Sequence, residues 1–224
     1  MKRVLLSWSS GKDSAWALHV LRQDPSVRVE ALLTTFNDAA DRVAMHAVRR
    51  NIVTAQADAA GLPLWPVGIP SPCPNDVYEA RMRAAVAGAL SAGITHIAFG
   101  DLFLEDVRRY REDRLAGTGI APMFPLWGRA TSALAREMLD AGLDAVVTCV
   151  DPSQLDAAFA GRRFDASLLS DLPASADPCG ERGEFHTCCV AGPMFSRAVP
   201  VTSGERVTRD GFVFCDVMLR DLTP

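Results

Sequence analysis

Lysine is nearly absent from this chain of 224 residues. Only Lys2 and Lys12 are lysine among its 23 lysine and arginine residues, so 23 − 2 = 21 are arginine. Lys2 is the second residue, which makes Lys12 the one lysine that we expect within the folded body. A compact ammonium and a planar guanidinium suit different partners, and this indicates a specific role for Lys12. The excess of arginine and alanine is typical of a GC-rich bacterial genome.

Long apolar runs and a basic excess are missing as well. The apolar start at Leu5 and Leu6 is interrupted at Ser7, with neither the roughly 18 apolar residues of a spanning helix nor a signal-peptide pattern. The net charge is −4, whereas proteins that bind nucleic-acid backbones usually carry a positive field. We therefore expect a cytoplasmic protein without membrane or nucleic-acid partners.

Paired cysteines are a third absence. The six cysteines contain no CxxC pair, and Cys188 and Cys189 are adjacent, which is poor geometry for a shared metal or an ordinary disulfide. Zinc frameworks and thioredoxin-like chemistry are therefore excluded, and we expect mostly buried, reduced thiols.

Apolar and amphipathic segments alternate along the first 150 residues. Predicted strands cover Val4–Ser7, Val29–Thr35, Pro63–Ile69, Thr95–Phe99, Ala121–Leu126 and Ala145–Val150. Predicted helices cover Ser14–Leu21, His46–Ala60, Val77–Ala92 and Ser132–Ala141. Alternation of this kind, with nearly continuous apolar strands, predicts an α/β fold with a doubly wound, mainly parallel sheet covered on both faces.

The character of the chain changes after about residue 151. Turn dipeptides crowd residues 177–193, and the alternating tail contains two hairpin signals, Ser203-Gly204 and Asp210-Gly211. We predict a nucleotide-binding domain over residues 1–128 and a smaller mixed α+β substrate region over residues 129–224. No Pro/Ser linker separates them, so they should pack as one body.

The segment Ser9–Ser14 carries the sharpest signal. It follows a predicted strand and precedes a predicted helix, at the sheet edge where ligands of open parallel sheets bind. The start of a helix offers free N–H groups to an anion, serine hydroxyls add donors, and Lys12 adds charge. A Walker A loop is excluded because Leu6 stands where its first glycine would be. An ordinary helix N-cap remains the plainer alternative.

This segment resembles the S-G-G-K-D-S signature of the PP-loop ATP pyrophosphatases, with Ser10 in place of a glycine. The segment 177–187, DPCGERGEFHT, resembles the D-P-x-G-E-x-G-E-F-H-T motif of the diphthine–ammonia ligase family. Arg182 stands where that motif often has asparagine. Three further segments fit the family in order, namely 99–101 (FGD), 125–128 (PLWG) and 210–213 (DGFV). The resemblance implies an adenine-nucleotide α-hydrolase fold and cleavage of ATP between its α and β phosphates.

Several acidic residues and a histidine are candidate catalytic groups beside Lys12. Glu181 and Glu184, with His186 close by, could hold an amine nucleophile or take its proton, although a solvated acidic turn is the plainer alternative. Asp101 follows a predicted strand at the edge that holds the phosphate loop. It could contact the nucleotide or hold Mg²⁺ together with Asp13, and a plain strand-ending aspartate is the alternative.

The remaining candidate residues are assigned to ligands. The expected nucleotide contacts are Ser9, Ser10, Gly11, Lys12, Asp13, Ser14, Thr34, Phe36, His46 and Gly100. The expected substrate contacts are Glu105, Arg109, Glu184, His186 and Thr187. His46 enters because it matches a histidine near the nucleotide in the relatives. The charged stretch Glu105–Arg114 could instead be a solvated helix face.

The resemblance therefore implies a ligase with ATP and Mg²⁺ that adenylates a substrate carboxylate and amidates it with ammonia. The carboxylate belongs either to a small metabolite, such as a cobalamin-salvage precursor, or to a modified protein side chain, as in diphthine. A PP-loop tRNA-modifying enzyme and a non-catalytic nucleotide sensor stay as alternatives. Whether the chain forms a homodimer is left open.

Overall fold

The computed structural model of the protein describes residues 1–43 and 46–220. Its ten strands, in chain order, are β1 Lys2–Ser7, β2 Val27–Asn37, β3 Arg42–Val43, β4 Leu64–Ile69, β5 His96–Ala98, β6 Ala121–Met123, β7 Asp144–Val150, β8 Phe185–Ala191, β9 Val201–Arg209 and β10 Phe212–Leu219. Its six α-helices are α1 Lys12–Gln23, α2 Arg50–Ala60, α3 Asn75–Ser91, α4 Glu105–Leu115, α5 Thr131–Asp140 and α6 Ala166–Asp171. A short 3₁₀ turn covers Ala157–Phe159.

The first sheet confirms the predicted α/β architecture. β1 pairs in parallel with β2 and β5, β4 joins β2, and β6 joins β5; only the two-residue β3 runs antiparallel. Val4, Leu5 and Leu6 on β1 are completely buried because helices cover both faces of the central strands. The carboxyl ends of β1, β2 and β5 therefore meet at one edge of the sheet.

The second sheet is antiparallel, in the order β8-β7-β10-β9. The alternation of segments predicted β7 as a continuation of the parallel sheet. Instead, β7 belongs to the second sheet, where it pairs antiparallel with β8 and β10. No long crossover helix follows β7, and a parallel connection would need one. The turn at Asp210-Gly211 joins β9 to β10, as predicted. The second predicted turn was wrong, because Gly204 lies inside β9.

One helix begins later than the sequence predicted. α2 starts at Arg50, and His46 lies in the turn before it. Two backbone hydrogen bonds form a tight turn there: the Ala47 N–H donates to the Val43 carbonyl, and the Val43 N–H donates to the Val48 carbonyl. Ala47 has a φ of 55°, which is not a helical value. This turn separates His46 from the helix that was expected to carry it.

Buried hydrogen bonds join the two sheets. The Cys189 N–H on β8 donates to the Ser10 carbonyl at 2.9 Å. The Gln56 amide on α2 donates to the carbonyls of Ser10 and Cys189 at 3.0 and 2.6 Å, and it accepts from the indole of Trp8 at 2.9 Å. The loop after β1 is thus fixed between α2 and the second sheet. In the described part of the chain, no helix is long and apolar enough to cross a membrane.

Candidate nucleotide and substrate site

A large cavity opens at the carboxyl edge of the first sheet. Its volume is about 890 Å³, at the upper end of the range for small-molecule sites. The polar end is lined by the loop after β1, the ends of β2 and β5, and the segment leading into β8. The polar lining residues at this end are Ser7, Ser9, Lys12, Asp13, Ser14, Thr35, His46, Asp101, Glu181, His186 and Thr187. Charged residues of α3 and α4 also line the cavity, namely Glu79, Arg83, Arg111, Asp113 and Arg114.

The loop between β1 and α1 is compact and internally bonded. Ser10 has a φ of 71°, in the left-handed region that glycine adopts at less cost. The hydroxyl of Ser14 lies 3.2 Å from that of Ser9 and donates to the Gly11 carbonyl at 3.0 Å. The N–H groups of Asp13 and Ser14, in the first turn of α1, have no acceptor within the helix, so they are available to an anion at this point.

Thr187 connects the loop to the second sheet. Its hydroxyl accepts the Lys12 N–H at 3.1 Å, across 175 positions of sequence. The contact is close enough that a Cβ added at Gly11 would lie 3.2 Å from the Thr187 carbonyl and 3.0 Å from the His46 ring. A side chain at position 11 would therefore push the two segments apart.

Lys12 is buried, with 2 % of its side chain exposed. Its ammonium donates to both Asp13 carboxylate oxygens, at 2.8 and 3.0 Å, and to the Cys179 carbonyl. It also lies 5.5 and 5.4 Å from the ring centroids of Phe164 and Phe185. Burial lowers the pKa of Lys12, but the Asp13 carboxylate together with Cys179 and Glu181 outweighs burial, so the pKa is raised. This lysine ties the loop to the second region and lines the cavity at the same time.

Asp101 lies beside the loop because β5 ends against α1. A Cβ added at Gly100 would be 3.0 Å from the carbonyl carbon of Asp13 and 3.0 Å from the Ser14 nitrogen, so only glycine fits. Asp101 faces the cavity, and its carboxylate lies 3.4 Å from the Arg111 guanidinium. Arg111 in turn lies 4.8 Å from the Phe99 ring.

The two glutamates of the acidic turn before β8 have different surroundings. Glu184 is 1 % exposed, and its two carboxylate oxygens accept the N–H groups of Asp177 and Arg182 at 2.7 and 3.0 Å. Glu181 faces the cavity, with one oxygen accepting the Leu102 N–H at 2.7 Å. Burial raises the pKa of Glu181 to about 7 despite that hydrogen bond. Glu181 thus faces the cavity, whereas Glu184 is buried and holds the turn together.

His46 and His186 form a ring pair on the cavity wall. Their centroids are 4.6 Å apart and the rings are tilted by 39°. Burial lowers the pKa of His46 to about 3 and that of His186 to about 4, so both are neutral at physiological pH. His46 Nδ1 lies 3.2 Å from the Thr187 carbonyl, which can only accept, so Nδ1 carries the proton. The other nitrogen, Nε2, is then a hydrogen-bond acceptor.

Seven of the predicted contacts are not among the residues that line the cavity, namely Ser10, Gly11, Thr34, Phe36, Glu105, Arg109 and Glu184. Thr34 and Phe36 are buried on the opposite face of β2, where the Thr34 hydroxyl donates to the Trp8 carbonyl and Arg50 covers the Phe36 ring. Leu33 and Thr35 line the cavity instead. Glu105 and Arg109 are exposed on the outer face of α4.

Arg111 and the face of α3 that lines the cavity were not predicted from the sequence. The sequence could have indicated Arg111 through its spacing of two from Arg109. Two residues at this spacing lie on opposite faces of a helix, so at most one of them can face the cavity. The signal for α3 was an apolar i, i+4 series, Tyr78, Met82, Val86 and Leu90.

The donor set for Mg²⁺ is small. Within residues 1–43 and 46–220, no three His, Cys, Asp or Glu side chains converge as a metal site. Magnesium in nucleotide sites is typically held by one or two carboxylates together with substrate phosphates. Asp13 and Asp101, both on the cavity wall, fit that requirement. Five of the six cysteines are buried, as expected from the sequence.

Comparison with known proteins gives two family matches in chain order. A family model of the diphthamide synthase N-terminal domain matches residues 1–115, and one of the C-terminal domain matches residues 130–220. A zebrafish (Danio rerio) protein named diphthine–ammonia ligase is 26 % identical, over 96 % of this chain and 92 % of its own length. The rat (Rattus norvegicus) and mouse (Mus musculus) proteins of that name are each 24 % identical, over 96 % of this chain and 88 % of theirs. These matches do not favour the tRNA-modifying enzyme or the nucleotide sensor.

Proposed function

The chain belongs to the diphthamide synthase family, and from this premise we propose that it is a ligase that uses ATP to join ammonia to a substrate carboxylate, releasing AMP and pyrophosphate. The observation that carries the proposal is the bond between the Lys12 N–H and the Thr187 hydroxyl. This hydrogen bond brings the loop between β1 and α1 and the segment 177–187 to opposite sides of one cavity. We propose residues 1–128 as the nucleotide-binding part and residues 129–224 as the substrate-recognition part.

The first step is adenylation. A carboxylate oxygen of the substrate attacks the α-phosphorus of ATP, a new O–P bond forms, and the bond from that phosphorus to the bridging oxygen breaks. The first turn of α1 and the hydroxyls of Ser9 and Ser14 stabilise the negative charge that develops on the pyrophosphate. Asp13 and Asp101 would hold Mg²⁺, which neutralises part of that charge when bound.

The second step is amide formation. The ammonia nitrogen attacks the acyl carbon, the bond from that carbon to the AMP oxygen breaks, and the nitrogen loses a proton. Glu181 is the acceptor that we propose for this proton, because its pKa of about 7 allows it to bind and release protons at physiological pH. The neutral rings of His46 and His186, on the same wall, offer nitrogen lone pairs to the N–H groups of ammonia.

The curated relatives carry a name that specifies diphthine and ammonia as substrates. We propose the same bond-forming chemistry for this chain, with ammonia taken up free. The acyl substrate is either a carboxylate on a small molecule or one on a modified protein side chain.

The test is a product analysis. The protein is incubated with ATP, Mg²⁺, ammonium and a panel of carboxylates, and AMP, ADP, pyrophosphate and orthophosphate are quantified. We expect AMP and pyrophosphate in equal amounts, dependent on the acid, and a rate about 100-fold lower for Glu181→Gln. Formation of ADP and orthophosphate alone would contradict the proposal. Glu205→Gln, on the exposed strand β9, is the matched control.

A further inference from the structure

Asp177 is a buried carboxylate at the start of the acidic turn before β8. It is 6 % exposed and lies outside the cavity lining. Within residues 1–43 and 46–220 it forms no ion pair, and its carboxylate accepts three hydrogen bonds from uncharged donors. A buried charge without a counter-charge costs free energy, so these three hydrogen bonds are what keeps the carboxylate in its place.

The two carboxylate oxygens of Asp177 bind different parts of the chain. Oδ1 accepts the N–H groups of Cys179 at 2.8 Å and of Glu181 at 3.3 Å. Oδ2 accepts the hydroxyl of Thr131, the first residue of α5, at 2.6 Å and across 46 positions of sequence. The carboxylate therefore ties the backbone of Glu181 to the start of α5.

The side chain of Glu181 is held from the same part of the chain. Its carboxylate accepts the Leu102 N–H at 2.7 Å, and the Leu102 carbonyl accepts the Gly128 N–H at 2.8 Å. Gly128 has a φ of 74°, which lets the chain turn into α5 at little cost. The segment 128–131 thus supports both the residue that binds the Glu181 carboxylate and the residue that binds the Glu181 backbone.

Other contacts of the acidic turn do not involve Thr131. The Lys12 ammonium donates to the Cys179 carbonyl, and the Glu184 carboxylate accepts the Asp177 N–H at 2.7 Å. Loss of the Thr131 hydroxyl would leave these contacts in place and would free the Asp177 carboxylate to rotate. Threonine carries no charge, so its replacement also leaves every charge around the cavity unchanged.

We propose that Asp177, held by the Thr131 hydroxyl, is a positioning residue that fixes Glu181 on the cavity wall for proton transfer from ammonia. Asp177 does not line the cavity and acts through the Glu181 backbone. A base must lie within about 3 Å of the atom whose proton it accepts, so a small displacement of the turn lowers the rate. This inference rests on the proposed function and adds to it the pair of residues that places the proton acceptor.

Replacement of Thr131 tests the proposal without removing a buried charge. Thr131→Val keeps the shape of the side chain and removes the hydroxyl, whereas Thr131→Ser keeps the hydroxyl. We expect Thr131→Val to lower the rate of ammonium-dependent AMP release about fivefold, and Thr131→Ser to stay within about twofold of the unmodified protein. Thr208→Val, on the exposed strand β9, is the matched control and should change the rate less than about twofold.

A double-mutant cycle separates a positioning role from a general structural one. If Asp177 acts through Glu181, Thr131→Val should change the rate less than about twofold in a Glu181→Gln protein, because the group that it positions is already lost. An equal fivefold loss with and without Glu181 would overturn the proposal. Full activity of Thr131→Val, or a Thr131→Ser protein as slow as Thr131→Val, would overturn it as well.

Amide hydrogen exchange in the protein without substrates keeps this test separate from the product analysis. Exchange of the Cys179 and Glu181 N–H groups, followed by NMR, reports how firmly the Asp177 carboxylate holds them. We expect both to exchange about tenfold faster in Thr131→Val and at the unmodified rate in Thr208→Val. Unchanged exchange in Thr131→Val would overturn the proposal even in an active ligase. If no acid supports AMP release, the proposed function fails, and the exchange rates still decide whether Thr131 and Asp177 hold the Glu181 backbone.

Discussion

At the scale of single residues, Lys12 makes structural contacts that the sequence did not indicate. The residue type predicted a point charge for a phosphate, and the structure shows an ammonium that also bonds to Asp13 and to the Cys179 carbonyl. Removing one partner of a buried ion pair is costly, because the remaining charge is still buried away from water but has lost its counter-charge.

We therefore expect Lys12→Ala to lose both activity and stability. Removal of one partner of a buried pair costs about 3 kcal/mol, measured as the free energy of unfolding in urea. Lys2→Ala is the matched control, since Lys2 is exposed. A Lys12→Ala protein as stable as the unmodified one would show that the bonds to Asp13 and Cys179 contribute nothing to folding.

The second residue-scale expectation concerns pH and Glu181. If this carboxylate accepts the proton of ammonia, the rate at a fixed concentration of unprotonated ammonia should rise with pH and reach half its plateau near pH 7, the pKa of the group. Glu181→Gln should remove that rise and lower the plateau. A rise of the same midpoint in the variant would assign the titration to another group.

The same group should reduce stability at high pH. Its pKa is raised in the folded protein, so the folded state holds the proton more tightly, and stability falls as pH rises from about 4.5 through about 7. Glu181→Gln should then stabilise the protein at pH 8 by on the order of 1–3 kcal/mol relative to its effect at pH 4. Urea unfolding at the two pH values measures this difference, and an equal effect at both would refute it.

At the scale of elements, the orientation of α4 determines which of two arginines faces the cavity. Arg111 faces the cavity, whereas Arg109 lies on the exposed face. We expect Arg111→Ala to lower kcat/KM for the acid about tenfold or more and Arg109→Ala to change it less than twofold. The reverse result would mean that the sequence-based choice of Arg109 was right and that α4 is rotated in the active protein.

The elements themselves were predictable, but the directions of their side chains were less so. Val29–Thr35 was placed correctly as a strand, yet Thr34 and Phe36 face away from the cavity that Leu33 and Thr35 line. Successive side chains of a strand point to opposite faces, so an error of one position exchanges the whole set. A strand buried on both faces gives no polar alternation from which to choose the face.

At the scale of the whole molecule, an ion network joins the two sheets. Asp216 on β10 accepts from Arg42 at 2.8 Å and from Arg49 at 2.5 Å. Burial alone would raise the pKa of Asp216, but the two arginines lower it to about 2. Neither motif analysis nor periodicity indicated this network, because its members are 167 and 174 positions apart in sequence.

We expect Asp216→Asn to destabilise the protein by on the order of 2 kcal/mol at pH 7. The pKa is depressed in the folded state, so this stabilisation is present above about pH 4 and is lost as pH falls towards 2. Urea unfolding at pH 7 and pH 3 should show a smaller difference at the lower pH. Asp210→Asn, on a residue whose side chain is 87 % exposed, is the control, and equal effects of both variants would contradict the account.

The meeting of the loop with β8 was predictable only through the resemblance. Residues 177–187 contain turn signals and no strand pattern that would place Thr187 against Lys12. The antiparallel pairing of β7 with β8 creates that contact, and pairing between distant segments is not encoded in a local pattern.

A crystal structure with α,β-methylene-ATP and Mg²⁺ would show directly where the protein binds the phosphates of ATP. We expect the β and γ phosphates on the first turn of α1, at Gly11–Ser14, with the α-phosphate facing the side of the cavity that holds Glu181 and Thr187. Phosphates bound elsewhere, with the loop between β1 and α1 unoccupied, would contradict this expectation.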